Sequence, residues 1–138
     1  MSITSLDQVR MKRVSLRCPV QAQDLKELQL GDLVFLDGVI FTGREGMYRR
    51  LLVEGQALPV PFSALSNVNF HCSPAAARRD DGSYTVRAVT ATASFRFGKS
   101  MDAFLRQSGV KAILGKGGMS LKDYKEILVP HGAVYLTT

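Results

Sequence analysis

Three places in the sequence combine a glycine or a hydroxyl with a cation, where an apolar segment gives way to a helical pattern. They are Thr42-Gly43-Arg44, residues 92–96 and Gly115-Lys116-Gly117. In sheets with parallel strands, ligands bind at the carboxyl ends of the strands, where such junctions lie. Arginines and a lysine that converge at one edge would bind an anion, and a carboxylate matches the planar fork of an arginine. The pattern therefore predicts a site for a small anionic ligand.

The glycine-rich segment 109–120, GVKAILGKGGMS, is similar in composition to a phosphate-binding loop. A Walker A loop has four residues between its first glycine and its Gly-Lys pair, and then a Ser or Thr for Mg²⁺. Here the residues between Gly109 and Gly115 are typical of a strand, and Gly117 follows Lys116 where the hydroxyl would be. The segment is not a Walker A loop, but its backbone N–H groups and Lys116 can still hold an anion. A tight turn with a solvated lysine is the alternative.

Arg44 and Arg96 both fall near the first turn of a predicted helix. A positive charge at that position opposes the helix dipole, which favours a role in binding a ligand or a partner. The alternative for Arg44 is a surface arginine paired with Glu45 or another neighbour.

Two hydroxyl residues, Thr92 and Ser94, precede the second of these helices. Serine and threonine at such positions commonly cap the helix, and this use competes with a role in a site. His71 lies beside strand residues, and we interpret it as structural rather than catalytic.

Apolar periodicity predicts five core strands. They fall at 33–40, 68–72, 84–93, 110–114 and 133–136, and the first of them is either one buried strand or a tight pair of strands. Residues 75–83 are predicted to form a polar surface loop, and Pro59 and Pro61 to keep their stretch extended and free of helix. Because helices follow the strands, the sequence predicts an α/β fold with a mixed, partly parallel sheet.

Three helices are predicted, after Arg44, after Arg96 and after Ser120. The last one begins with Ser120 and Asp123, a pairing typical of a capping box. Its buried stripe is predicted to consist of Leu121, Tyr124 and Leu128.

The composition is typical of a soluble globular protein, with 46% hydrophobic and 22% charged residues. We expect a single domain over residues 1–138 and a cytoplasmic location, because no apolar run could span a membrane and no secretory signal is recognisable. The net charge of +6 favours an anionic partner. The basic clusters are short and no nucleic-acid-binding motif is present, so a small anion fits better than RNA or DNA.

The residues that could bind a metal are few. Two cysteines, Cys18 and Cys72, and two histidines, His71 and His131, show no zinc-ligand spacing. An iron–sulfur cluster usually takes three or four cysteine thiolates. We therefore expect no metal site held by this chain alone.

Six motifs of the sequence resemble the β domain of the iron–sulfur-dependent hydro-lyases, the family of class I fumarase and L-tartrate dehydratase. They are TGREGMYRRL at 42–51, ALPV at 57–60, FHCSP at 70–74, TATASFRF at 90–97, GVKAILGKGGMS at 109–120 and HGAVYL at 131–136. The motifs keep the family's order and spacing. Tyr48 stands where the family has a histidine, Ala93 where it has a second threonine, and the chain ends short of the family's C-terminal sequence.

The resemblance implies a swivelling β/β/α domain that packs on a larger α subunit. That subunit would carry a [4Fe–4S] cluster on three cysteines, with one open iron. Arg44, Arg96 and Lys116 would bind the substrate carboxylates, and Thr92 would transfer a proton. Ser94, next to Ala93, is expected to contribute to substrate binding.

The function that the resemblance implies is the reversible hydration of a dicarboxylic acid, of the fumarate/malate or tartrate type. The chain would be a hydro-lyase β subunit that is active only in a hetero-oligomer with its α subunit, with no nucleic-acid or membrane partner. The main alternative is a non-catalytic anion-binding or regulatory module that retains the fold. A basic RNA-associated domain is a further alternative.

Overall fold

The computed structural model describes residues 11–58 and 61–138. Within them the strands are β1 (Arg13–Arg17), β2 (Leu33–Asp37), β3 (Phe41–Thr42), β4 (Val68–Phe70), β5 (Ala75–Arg78), β6 (Tyr84–Ala88), β7 (Ala112–Gly115) and β8 (Val134–Thr137). The helices are α1 (Ala22–Lys26), α2 (Glu45–Tyr48), α3 (Phe62–Leu65), α4 (Gly98–Ser108) and α5 (Leu121–Asp123). A 3₁₀ turn at Phe95–Phe97 precedes α4, while π-helical turns at Arg49–Val53 and Tyr124–Leu128 continue α2 and α5.

The largest sheet has four strands in the order β3-β4-β7-β8, and every neighbouring pair in it is parallel. Val68 of β4 pairs with Ala112 of β7, and Ala112 pairs with Val134 of β8. The parallel pairing brings the carboxyl ends of all four strands to one edge. A parallel pair β1-β2 and an antiparallel hairpin β5-β6 form two smaller sheets.

The four-stranded sheet lies between two hydrophobic clusters, because its side chains alternate between two faces. Ile113 of β7 packs with the helical side, where Phe97, Met101 and Phe104 are buried. Ala112 and Leu114, on either side of Ile113, pack on the other face of the sheet, against β1, α1 and β2. The architecture is therefore α/β in three layers, and the predicted fold class is confirmed.

Helix α4 shows how the sequence forms one of these layers. Met101, Phe104 and Leu105 recur at helical spacing and are buried. Gly109 ends the helix with a left-handed backbone (φ +69°) and donates its N–H to Leu105 O at 3.0 Å, which is the usual glycine termination. In the described part of the chain, no helix is both long and apolar enough to cross a membrane.

The hairpin was not predicted. Residues 75–83 were expected to form a loop, but Ala75–Arg78 is a strand that pairs with Tyr84–Ala88. Three alanines have little β-propensity of their own, so the partner strand determines the conformation here. The turn of the hairpin lies at Asp81-Gly82, with Gly82 at φ +84° and the Ser83 N–H donating to Asp81 Oδ1 at 2.9 Å.

Several predicted boundaries are also wrong. The segment 33–40 is interrupted at Gly38, which has φ +114° and packs against the Cys18 backbone, and Phe35 is half exposed rather than buried. Helix α3 begins directly after Pro61, because proline is compatible with the first turn of a helix; Pro59 lies outside the described residues. Leu121 is 67% exposed, so it does not belong to the buried stripe of its helix.

Candidate functional site

The three predicted junctions meet at the carboxyl edge of the four-stranded sheet. The first one follows β3, where the Gly43 N–H donates to Phe70 O at 3.1 Å. His71 follows β4 and donates its N–H to Leu114 O of β7 at 2.8 Å. Lys116 follows β7 directly. The order of the strands therefore places these junctions side by side.

The segment that contains Thr92 and Ser94 connects these strand ends. The Thr92 N–H donates to His71 O at 2.6 Å, and Thr92 O accepts from the Lys116 N–H at 3.3 Å. The Ser94 N–H donates to Lys116 O at 3.1 Å. Hydrogen bonds of the backbone thus fix Thr92 between the ends of β4 and β7.

Arg44 and Thr92 are in direct contact. Arg44 Nη1 donates to Thr92 Oγ1 at 3.4 Å across 48 residues of sequence, and both side chains are half buried. Burial raises the pKa of the neighbouring Cys72 thiol, while the Arg44 charge acts in the opposite direction. Thr92 does not cap a helix here, because its hydroxyl accepts from a guanidinium instead.

Arg96 reaches the start of helix α2. It forms an ion pair with Glu45 at 2.6 Å and lies over the Phe97 ring at 4.8 Å from the centroid. Glu45, the alternative partner considered for Arg44, is therefore paired with Arg96. Both charged side chains are about half exposed, and an exposed pair contributes about 0–1 kcal/mol. A ligand carboxylate can replace Glu45 at little cost.

Lys116 is exposed at the start of the glycine loop. Within residues 11–58 and 61–138 its side chain makes no hydrogen bond or ion pair, so its charge is available to a ligand. Gly117 and Gly118 follow with φ +75° and +71°, a backbone conformation that residues other than glycine rarely adopt. The Met119 N–H donates to Tyr124 Oη at 2.8 Å, which holds the far end of the loop.

Ser94 lies beneath this surface rather than on it. Its side chain is fully buried, and its Oγ is 2.7 Å from His71 Nδ1 and accepts from Tyr135 Oη at 2.9 Å. Although Ser94 precedes the 3₁₀ turn, its side chain makes no capping hydrogen bond. The structure therefore does not bring Ser94 to the surface with Arg44, Thr92 and Lys116.

His71 continues this buried set of hydrogen bonds. Its Nε2 is 2.5 Å from Tyr48 Oη, and Asn69 Nδ2 donates to the same hydroxyl at 3.4 Å. Burial, with a smaller effect of the Arg96 charge, lowers the pKa of His71 to about 4, so the ring is neutral near pH 7. We call the set formed by Asn69, Tyr48, His71, Ser94 and Tyr135 the polar chain.

The polar chain could not be predicted from the sequence alone. Tyr135 falls in the strand predicted at 133–136, and nothing in the spacing of Tyr48 and Tyr135 shows that their hydroxyls bond to buried side chains. The structural interpretation of His71 agrees with its complete burial.

The described residues do not form a metal site. No group of three or more His, Cys, Asp or Glu side chains in this part of the chain could hold a metal ion. Cys18 and Cys72 are free and buried.

Comparison with known proteins gives a family. The family described as Fumarase C-terminus matches residues 2–138. A provisionally named class I fumarate hydratase of Geobacillus stearothermophilus is 30% identical over 123 residues, which is 89% of this chain and 23% of that protein. The L(+)-tartrate dehydratase subunit beta of Escherichia coli (strain K12) is 33% identical over 109 residues, which is 79% of this chain and 52% of that subunit.

The chain thus spans about half the length of the tartrate dehydratase subunit and about a quarter of the fumarate hydratase. The family match, in contrast, extends over nearly the whole chain. The chain therefore belongs to the Fumarase C-terminus family, which is the β-subunit family of the iron–sulfur hydro-lyases that the sequence motifs indicated.

Proposed function

We propose that the chain is the substrate-binding β subunit of an iron–sulfur hydro-lyase, which reversibly hydrates a dicarboxylic acid of the fumarate, malate or tartrate type. One observation carries the proposal: Arg44 Nη1 contacts Thr92 Oγ1 at an edge where the Lys116 backbone is bonded to Thr92. Arg44, Lys116 and the Thr92 hydroxyl thus lie at one edge. This arrangement suits a substrate that has two carboxylates and a carbon from which a proton is removed.

In this proposal Arg44, Arg96 and Lys116 bind the two carboxylates. The guanidinium groups of Arg44 and Arg96 offer paired N–H donors, which match the two oxygens of a carboxylate. Lys116 contributes a compact charge. Arg96 would exchange its exposed partner Glu45 for the substrate.

Thr92 has the role of moving a proton in this proposal. A threonine hydroxyl is a weak base when free, because its alkoxide is unstable in water. A guanidinium that donates to the hydroxyl oxygen stabilises the alkoxide, so the contact with Arg44 makes the transfer easier. Thr92, as the alkoxide left after its own hydroxyl proton passes to solvent, would take the proton from the substrate carbon adjacent to the one that carries the leaving hydroxyl, and in the hydration direction it would return a proton to that carbon. Ser94, which lies behind Thr92, would support this segment rather than bind the substrate directly.

The [4Fe–4S] cluster that such an enzyme uses supplies a Lewis acid for the hydroxyl group. The described residues of this chain do not fit a cluster, since Cys18 and Cys72 are buried and no metal-binding group is formed by the described side chains. We therefore assign the cluster to an α subunit. The half-exposed Arg96 and the exposed Lys116 leave the site open on the side that this subunit would cover, and the subunit beta name of the E. coli relative supports a hetero-oligomer.

A second candidate is a non-catalytic anion-binding module. It is favoured by one observation: Tyr48, at the position of the family's histidine, is buried and bonded to His71 rather than presented to a ligand. Such a module would keep the cations and bind dicarboxylates without turning them over.

Replacement of Thr92 in the enzyme assembled with its α subunit tests the proposal. Thr92→Ala is expected to lower kcat about 10²–10⁴-fold, as for the loss of a group that transfers a proton, while the dicarboxylate Kd and the melting temperature change little. Thr90→Ala is the matched control, because Thr90 is an exposed threonine of the same segment, and it should leave kcat unchanged.

The possible results separate the two candidates. If the wild-type protein, assembled with its α subunit, binds dicarboxylates but does not turn them over, the anion-binding module is supported. Unchanged kcat in Thr92→Ala would contradict a catalytic Thr92, and the absence of any dicarboxylate binding would contradict both candidates.

A further inference from the structure

The polar chain contacts all three junctions of the site from the buried side. Tyr48 lies one helical turn after Arg44, and its N–H donates to Arg44 O at 3.1 Å. Ser94 lies two residues after Thr92. Tyr135 lies in β8, and its hydroxyl reaches the end of β7 at Gly115, next to the loop of Lys116. His71 hydrogen-bonds to both Tyr48 and Ser94, so it joins the first junction to the other two.

Gly115 makes room for this arrangement. A Cβ at position 115 would lie 2.8 Å from Tyr135 Oη and would also collide with Ser94 Oγ. Its φ is not in the left-handed region, so space rather than backbone conformation requires glycine here. The end of β7 is thus shaped to let the Ser94 and Tyr135 hydroxyls meet.

The donor Asn69 Nδ2 selects one direction for the hydrogen bonds of the polar chain. Asn69 Nδ2 donates to Tyr48 Oη, which leaves the Tyr48 proton for His71 Nε2. In that direction the ring would carry its own proton on Nδ1 and donate it to Ser94 Oγ, which also accepts from Tyr135. Only a neutral imidazole accepts at one nitrogen and donates at the other.

We infer that His71 is a positioning residue of the dicarboxylate site. As the neutral Nδ1–H tautomer it holds the Arg44 helix at a fixed distance from the Thr92 and Lys116 junctions, and it thereby sets the separation of the groups that contact the two carboxylates. The role of His71 in selecting a dicarboxylate rests on the proposed function, whereas its role in fixing the three junctions does not.

Two amide variants separate the two bonds of the ring. In His71→Asn the amide nitrogen takes the place of Nδ1 and can still donate to Ser94. In His71→Gln the amide reaches the place of Nε2, towards Tyr48, and Ser94 loses its donor. A third variant, Tyr135→Phe, removes one hydroxyl of the polar chain and keeps the ring, and Tyr84→Phe is its control, because Tyr84 is exposed on the hairpin.

The first measurement uses ¹⁵N NMR of the full chain. We expect a neutral His71 ring protonated on Nδ1. His71→Asn, which loses the bond to Tyr48, should shift the backbone amide signal of Arg44 most, whereas His71→Gln, which loses the bond to Ser94, should shift those of Thr92 and Lys116 most. Tyr135→Phe should shift the His71 Nδ1 signal, and Tyr84→Phe should not. An Nε2–H or doubly protonated ring, or shifts confined to the neighbours of residue 71, would overturn the inference. If His71→Gln does not fold, Tyr135→Phe decides by the same criteria.

The second measurement uses the enzyme assembled with its α subunit. His71→Gln should lower kcat/KM about 10–100-fold and reduce the preference for four-carbon over three- and five-carbon dicarboxylates, as expected when reacting groups are misplaced. His71→Asn, which keeps the bond to Ser94 but loses the one to Tyr48, should show a loss of similar size. Wild-type kcat/KM and wild-type substrate preference in both variants would overturn the positioning role. If the wild-type enzyme acts on no dicarboxylate, the proposed function fails, and the NMR result alone decides the role of His71.

Discussion

The edge that carries the site and the β5-β6 hairpin are joined at the Cys72–Ala91 bridge, yet they differ in almost every physical respect. At the edge, Asn69, His71 and Ser94 are fully buried; the Tyr48 hydroxyl links Asn69 to His71, and His71 bonds directly to Ser94. On the hairpin, Tyr84 and Val86 are more than half exposed. The hairpin has its own backbone pairing but very little side-chain packing.

The difference shows where the fold is rigid. A buried polar group has a fixed geometry because the loss of its partner leaves it unsatisfied, which costs about 1–3 kcal/mol. A two-stranded hairpin in water is only marginally stable by itself. Arg44, Thr92 and Lys116 therefore extend from a preorganised support, whereas the side chains of the hairpin have no such support within the described residues.

The largest expected effect is a dependence of stability on pH that comes from His71. Burial lowers the pKa of His71 to about 4, from an ordinary value of 6.5. Because the pKa of His71 is lower in the folded chain than in the unfolded chain, protonation favours unfolding. The stability that the neutral ring contributes is therefore present above about pH 6.5, and the free energy of unfolding should fall by roughly 3 kcal/mol as the pH decreases to about 4.

Urea unfolding of the wild type and His71→Asn at several pH values between 7 and 4 measures this contribution. The difference between the two free energies of unfolding should shrink as the pH falls. Parallel profiles of the two proteins would show that His71 is not buried as a neutral ring.

The next effect concerns Gly115. Gly115→Ala should lower the free energy of unfolding by about 1–3 kcal/mol, because its methyl group would displace the Ser94 and Tyr135 hydroxyls from a packed core. Gly46→Ala is the matched control, since nothing lies within 4 Å of the new Cβ and the position is helical. Alanine there should be neutral or stabilise by up to about 1 kcal/mol. Equal effects of the two changes in chemical denaturation would contradict tight packing at the edge.

The smallest effect is expected on the hairpin. Val86→Thr should change the free energy of unfolding by less than about 0.5 kcal/mol, because the side chain is exposed. Hydrogen exchange should be faster for the amides of Tyr84–Ala88 than for those of Val68–Phe70. Slow exchange in both segments would remove the contrast between the two regions.

The sequence predicted the buried elements better than the exposed ones. The helix predicted after Arg96 corresponds to α4, because its buried residues Met101, Phe104 and Leu105 make the periodicity strong. The strand at Ala75–Arg78 was missed because its alanines carry no pattern and its conformation depends on a partner strand. Strand β1 was also missed, since Arg13 and Arg17 face solvent and obscure the alternation.

For the site, the sequence predicted which junctions meet, since parallel strands bring their carboxyl ends to one edge. It did not predict how the side chains divide between surface and interior. Thr92 and Ser94 are two residues apart and chemically similar, yet one contacts Arg44 and the other is buried on His71. That choice depends on tertiary contacts with Arg44, His71 and Tyr135, which local spacing cannot show.

The most direct test of the site is an NMR titration of the ¹⁵N-labelled full chain with a four-carbon dicarboxylate. If this edge is a dicarboxylate site, we expect saturable shifts of the signals of Arg44, Thr92, Arg96 and Lys116, little change on the hairpin at Tyr84–Ala88, and no competition from ATP. Shifts confined to the hairpin, or no shift at the four site residues at saturating concentrations of the dicarboxylate, would contradict the assignment of this edge as a dicarboxylate site.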